Sequence, residues 1–388
     1  MSAPLPYARL SGFYFFYYAA IGAFLPYWGL YLQWRGYTPL DIGIASGAYS
    51  GVRIIAPLAW GWLADHWQVR LPMIRIAALL APLTFAVPLE GGQLAWLVVQ
   101  MLLLSFCLNA VLPQLEVLTL NHLYRREGDY GVIRLWGSVG FVLAVLVLGP
   151  VLDQTGLKPV PWLIAGLLLA MGLLSLSVPD ARAQEEPTGS AEGLLRVIRR
   201  PEVIALLVAC FLSQLSFAPY YSFFSLYLEQ HGYSKTSIGL LWSLGVIAEV
   251  GVFVYMARLL GRFGARSLML WALGLTALRW ALQVIFVDQL AMLLLIQCLH
   301  LASFGVYHAV SVHLIHQMFR GRLQGRGQAF YSAVSFGAGG ALGALLSGHL
   351  WETLSPDSVY WMAAVSAALG WWVAWRWLKL ETPARNAA

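Results

Sequence analysis

The sequence predicts an all-α polytopic membrane protein of twelve spans, arranged as two pseudo-symmetric six-helix bundles. Three observations carry that expectation. The chain is 60% hydrophobic and only 11% charged, where an ordinary soluble domain carries about 25% charged residues. Its apolar residues fall into runs of about 20, the length that crosses a hydrocarbon core as a helix. Residues of the first half also recur in the second at one fixed spacing.

The runs lie at residues 8–32, 39–63, 71–89, 93–121, 131–152 and 159–178 in the first half, and at 201–228, 235–260, 266–286, 289–318, 326–350 and 357–378 in the second. The first follows a single base, Arg9, and is too long for a signal-peptide core, so it reads as a retained span. The second holds Arg53, the fourth Glu116 and the fifth Arg134. Residues 179–200 break the pattern with Pro179, Asp180, Glu185, Glu186, Pro187 and Gly189. That polar linker ends in a short basic amphipathic piece, Leu194 to Arg200, of the kind that rests on a membrane surface. The eighth span holds Glu249 and the ninth Arg279. The tenth carries His300, His308, His313 and His316, and the eleventh the close-packing glycines Gly337, Gly339, Gly340 and Gly343. Pro26, Pro57, Pro113 and Pro219 are expected to interrupt their spans. The domains are therefore 1–178, a linker at 179–200, and 201–388.

The repeat is explicit. Tyr31-Leu32, Gly36-Tyr37-Thr38 and Ile42-Gly43 return as Tyr227-Leu228, Gly232-Tyr233-Ser234 and Ile238-Gly239. The same offset carries Arg70 to Arg266, and Arg53 to Glu249, so a base and an acid stand at matched depths where they could meet or find separate partners. Parallel repeats of this kind frame a site at the bilayer midplane between them.

Charge placement sets orientation and excludes some functions. Of 24 Lys and Arg, Arg53, Arg134 and Arg279 are taken with the spans, three more (Arg35, Lys158 and Lys235) lie in or beside one alternate set of loops, and the other 18 lie in or beside the other set or at the termini. That is the positive-inside bias, with both termini cytoplasmic, and it accounts for the net charge of +6 without nucleic acid. Cys107, Cys210 and Cys298 stand singly, with neither a disulfide frame nor metal-ligand spacing. His313 and His316 lack a third ligand, and no cofactor or metal is expected. No His-Glu-x-x-His or Gly-x-Ser-x-Gly stretch lies in a span, which argues against an intramembrane enzyme.

An ionised side chain at bilayer depth costs about 2.5–3.5 kcal/mol on insertion scales, so each one inside a span is a functional candidate. Glu116 and Glu249 are the acids away from the span ends; Arg53, Arg134 and Arg279 are the candidate bases. Arg134, the nearest base to Glu116, suits a carboxylate through two parallel hydrogen bonds, while a neutral sugar or nucleoside would bond to both residues. Glu249 has no base within a turn of its own helix and is the first candidate to carry a proton, with His300 a possible relay. Tyr14, Tyr17, Tyr18, Tyr27, Trp28, Tyr220 and Tyr221 offer rings for stacking, lipid contact or packing.

Residues 61–70, GWLADHWQVR, resemble the loop signature of the major facilitator superfamily, matching it at Gly61, Asp65 and Arg70 and departing at His66 and Gln68. The resemblance implies a major facilitator fold and a conformational role for that loop. Asn109 to Glu116 followed by Arg134 to Gly140 is similar to the sugar-site helices of lactose permeases. Arg279 and His300 resemble those proteins' proton-coupling cluster, with Gln297 and Ser303 departing from it. Tyr130 to Gly140, Leu240 to Val250 and Tyr331 to Val334 look like the phenylpropionate permease branch. That likeness implies a proton-coupled symporter of an inner membrane, monomeric, importing an aromatic carboxylate. Its alternatives are a sugar or nucleoside symporter or a drug exporter. The substrate residues would be Glu116, Arg134, Tyr27, Tyr220 and Tyr221; the proton-coupling residues Glu249, His300, Arg279 and Arg53.

Overall fold

A computed structural model describes residues 5–67, 70–85, 93–123, 129–181, 193–321 and 323–379. Twelve spanning segments run through them. The first is α1 (Tyr7–Trp34). The second bends, passing from α2 (Pro39–Gly51) through a 3-10 turn at Val52–Ile54 into α3 (Ala56–Trp67). The third is α4 (Arg70–Leu80) followed by a 3-10 turn, Ala81–Phe85; the expected remainder, 86–89, lies outside the described residues. Then come α5 (Leu94–His122), α6 (Tyr130–Thr155) and α7 (Val160–Ser175).

The expected linker at 179–200 falls partly outside the described residues, at 182–192. Its basic end forms α8 (Leu194–Ile198). α8 buries Val197 in the second bundle's core and leaves Leu195 exposed. The second bundle continues with α9 (Pro201–Gln230), α10 (Lys235–Phe263) and α11 (Ala265–Ile285). The tenth span is α12 (Leu290–Cys298), a π-helical stretch at Leu301–Val306 and α13 (Tyr307–Met318). The eleventh is built alike, from α14 (Leu323–Ser332), a π stretch at Ala333–Gly339 and α15 (Gly340–Thr353). The twelfth is α16 (Pro356–Trp377).

Among the described residues, seven segments are long and apolar enough to cross a membrane by composition alone: α5, α6, α9, α10, α11, and the tenth and eleventh spans taken whole. α1 and α16 have the length, but their many Tyr, Trp and small residues dilute the hydropathy. Such rings hold one polar atom each and suit either the headgroup level or a bundle interior. Prolines behave differently from expectation. Pro26, Pro113 and Pro219 sit inside continuous helices, whereas Pro57 follows the break in the second span.

Helix starts follow from the sequence. Thr38 and Asp41 form a capping box, each side chain taking the other's amide, with Pro39 at the first helical position. Ser234 caps α10 through the Ser237 amide. The repeat mates Gly36 and Gly232 turn the chain after α1 and α9 at φ +87 and +80, where a Cβ would be strained.

Within the first bundle α1 packs on α6 and α7, and α4 on α5 and α7; in the second, α9 packs on α15 and α16, and α11 on α16. Gly339 and Gly343 let α9 close in, with a Cβ on Gly343 falling 2.5 Å from the Leu215 carbonyl oxygen. The bundles meet through α2 against α15, α6 against α10 and α1 against α9. Those contacts lie toward the face opposite the termini, here the far face. At the terminus face, α3 packs within its own bundle on α5, and α14 on α13 and α8.

Candidate functional site

The tenth span sets the register of the second bundle's site. Side chains four residues apart drift around an α-helix by about 40°. The wider π turns at Leu301–Val306 take back that drift and keep His300, Phe304 and His308 in one column. The rings stack at 5.5 Å and 5° (His300 on Phe304), then at 5.6 Å and 2° (Phe304 on His308).

Arg279, from α11, meets the top of the column and is 0% exposed. Its Nη1 donates to His300 Nδ1 and to Ser303 Oγ, each at 3.0 Å, and Nη2 donates to Gln297 Oε1 at 2.9 Å. The guanidinium also lies 4.7 Å from the Tyr220 ring centre and 4.5 Å from that of Trp280. Guanidinium only donates, so His300 Nδ1 is the acceptor and its proton sits on Nε2. That Nε2 faces Glu249 of α10, with 3.7 Å between Nε2 and Oε2. The order Arg279, His300, Glu249 is thus a directed chain from a buried cation to a carboxylate 18% exposed.

The first bundle supplies the facing half. Arg134 of α6 donates through Nη2 to the Tyr18 hydroxyl and lies over the Tyr18 and Tyr14 rings, at 4.1 and 5.6 Å. Arg134 is partly exposed, so water or a ligand can reach it. Glu116 of α5 is an electrostatic neighbour of Arg134 and lies beside Tyr130. Among the described residues no ion pair joins Glu116 to Arg134, so the expected pair is a proximity and Tyr18 holds the base. Charges act across the gap: Arg134 on His308, and Glu249 on Tyr18.

Other expected members sit elsewhere. Arg53 does not pair with Glu249; the 3-10 turn aims it at Tyr49 and at Phe336 of the opposite bundle, 5.8 and 5.9 Å from the ring centres. Tyr27 is fully buried, its hydroxyl donating to the Val145 carbonyl at 2.9 Å, so it packs rather than lines a site. Tyr220 is also buried, underneath Arg279, while Tyr221 stays partly exposed. Of the loop residues, Gly61 lies within α3 and Arg70 begins α4; the Asp65 side chain lies outside the described residues. Gln297 and Ser303, which read in the sequence as departures from a known cluster, are the partners that hold Arg279. Phe304 is not among the expected site residues, although its position midway between two histidines four residues away on each side is a visible signal.

Two bundles with ionisable groups facing each other at their middle define a membrane carrier. The chain belongs to the MFS_1-like family, whose pattern matches residues 7–362, and it is a transporter of the major facilitator type. It is 31% identical over 360 residues to a probable 3-phenylpropionic acid transporter of Escherichia coli, covering 91% of this chain and 93% of that one. It is 29% identical over 365 residues to the maltose permease of Geobacillus stearothermophilus, covering 92% and 91%. The fold is similar to the crystal structure of the nucleoside transporter NupG, with a TM-score of 0.82 at 16% identity over 97% of this chain and 99% of that one.

Proposed function

We propose that the protein is a proton-coupled symporter of a bacterial inner membrane. It imports a small aromatic carboxylate such as 3-phenylpropionate, with both termini in the cytoplasm. The observation that carries this reading is Arg134: a partly exposed cation, bedded on two tyrosine rings, opposite a second bundle that holds Glu249 on a histidine. Arg134 suits a carboxylate as a two-pronged donor, and the partly exposed Tyr18 and Tyr221 suit a ring. The 31% identity to a probable 3-phenylpropionic acid transporter supports the same substrate class.

Coupling follows from charge. Glu116 and Glu249 both repel an incoming anion. A proton on Glu249 removes one of those charges, so proton and anion favour each other's binding. His300 cannot take the proton in this arrangement without releasing Arg279, because its Nδ1 already accepts from that guanidinium. The contacts between bundles lie toward the far face, which supports a state open to the cytoplasm.

The test is uptake into proteoliposomes under an imposed pH gradient. With the outside acidic, labelled 3-phenylpropionate should accumulate, and maltose or uridine should neither accumulate nor compete. Accumulation of maltose instead, the reading the Geobacillus relative favours, or uptake indifferent to the gradient, would overturn the proposal.

A further inference from the structure

On the far face each bundle finishes the first turn of a helix that belongs to the other. The fifth span ends Gly149-Pro150-Val151-Leu152-Asp153, and the eleventh ends Gly348-His349-Leu350-Trp351-Glu352. In both, a glycine and a carboxylate stand one turn apart on the same helix face. A Cβ on Gly149 would fall 2.7 Å from the Lys235 carbonyl oxygen and 2.9 Å from Thr236 Cα. One on Gly348 would fall 2.7 Å from the Pro39 carbonyl oxygen and 3.2 Å from Leu40 Cα. Bare backbone at these two positions lets the opposite helix start come into contact.

One turn further on, the carboxylates use that contact. Asp153 accepts from the Lys235 amide at 2.8 Å, the Thr236 amide at 3.0 Å and the Thr236 hydroxyl at 2.6 Å. Glu352 accepts from the Leu40 amide at 3.0 Å. The first amides of a helix have no partner within it. In α10, Ser234 takes the Ser237 amide, and Asp153 takes those of Lys235 and Thr236. In α2, Thr38 takes the Asp41 amide, Pro39 has none to offer, and Glu352 takes that of Leu40. The division is the same on both sides: the helix's own cap serves the third position, and the other bundle serves the earlier ones. The Lys235 ammonium is occupied separately, by Glu229 at 3.0 Å.

We propose that Asp153 and Glu352 are a pseudo-symmetric pair of trans caps that hold the far face shut, and that releasing them is an obligatory step in opening it. The inference rests on the alternating-access reading above but not on the substrate or on proton coupling. Asp153, with three donors against one for Glu352, is the stronger member.

Paired spin labels test this in the substrate-free protein, with Cys107, Cys210 and Cys298 replaced by Ser. One pair, at the exposed positions Lys158 and Gln289, reports the far face; another, at His66 and Gln324, reports the terminus face. Asp153→Asn should lengthen the far-face distance and shorten the other, raising the ratio of far-open to far-closed molecules about tenfold, the value of one charge-assisted hydrogen bond. Adding Glu352→Gln should carry both shifts further. Thr236→Val, which removes one donor and leaves both carboxylates in place, should move them the same way by less, and it decides the matter if Asp153→Asn does not fold. Unchanged distributions overturn the proposal, as does a longer far-face distance with no shortening at the terminus face, which is local fraying. Substrate specificity enters neither distance, so a failure here is distinct from a failure of the proposed transport activity.

Discussion

Arg279→Lys keeps the charge and removes the fork. In the native site two nitrogens serve three acceptors, His300 Nδ1, Ser303 Oγ and Gln297 Oε1, at 3.0, 3.0 and 2.9 Å. A lysine ammonium is one point donor on a shorter reach, so Gln297 on one prong and His300 with Ser303 on the other cannot all be met. Losing one charge-assisted bond inside a dry core costs about 1.5–3 kcal/mol. Weaker contact with the Tyr220 and Trp280 rings adds about 0.5–1 kcal/mol. The sum, about 2–4 kcal/mol, corresponds to roughly 4–16 °C in the melting temperature of a bundle this size. Thermal unfolding in detergent, followed by fluorescence, measures it, with Arg376→Lys on the exposed end of α16 as a control expected within about 0.5 kcal/mol of the parent. Freed from Arg279, His300 no longer has its proton fixed on Nε2 toward Glu249, so accumulation driven by a proton gradient should fall while exchange persists. A variant that melts within about 1 °C of the parent and accumulates substrate normally would refute the directed chain.

Glu249→Gln should leave counterflow exchange intact and abolish accumulation in proteoliposomes, because the amide holds the neutral form permanently. Arg134→Lys should weaken equilibrium binding of an aromatic carboxylate by about 10- to 100-fold, measured by calorimetry, as the paired donors are lost. Gly140→Ala should destabilise by about 1–3 kcal/mol or more, since its Cβ would sit 2.2 Å from the Phe15 carbonyl oxygen. Gly131→Ala, with nothing within 4 Å, should be neutral or stabilising in the same melting assay.

The features legible in the sequence are those that lipid forces on a chain. Backbone in hydrocarbon must be helical, so long apolar runs give the spans, and an ionisable residue inside one is too costly to be incidental. Glu116, Arg134, Glu249, Arg279 and His300 stood out on that ground. Hidden from the sequence was everything that turns on local register. Pattern matching by offset put Arg53 opposite Glu249, but the second span breaks at Val52–Ile54 whereas α10 runs unbroken through Glu249, so matched numbers end on unmatched faces. The π stretches leave no mark in composition, and without them His300, Phe304 and His308 would not align. Aromatic residues are equally ambiguous: Tyr27 and Tyr18 lie on the same helix, yet one is packing and the other holds Arg134.

The burial of Arg279 constrains the cycle further. It is 0% exposed, and among the described residues no carboxylate pairs with it directly; its partners are neutral dipoles and rings. Through His300 that charge faces the Glu249 carboxylate. A lone charge in a low-dielectric interior is strongly unfavourable. In the proposed cycle, protonating Glu249 therefore leaves the second bundle with an uncompensated positive charge, and an anionic substrate entering the gap restores the balance. Proton and monovalent anion then move together with no net charge. Uptake driven by a pH gradient should accordingly be insensitive to a potassium diffusion potential of either sign. An electrogenic response would mean that a second proton moves, with His308 the next site to examine, since its buried Nδ1 has no partner.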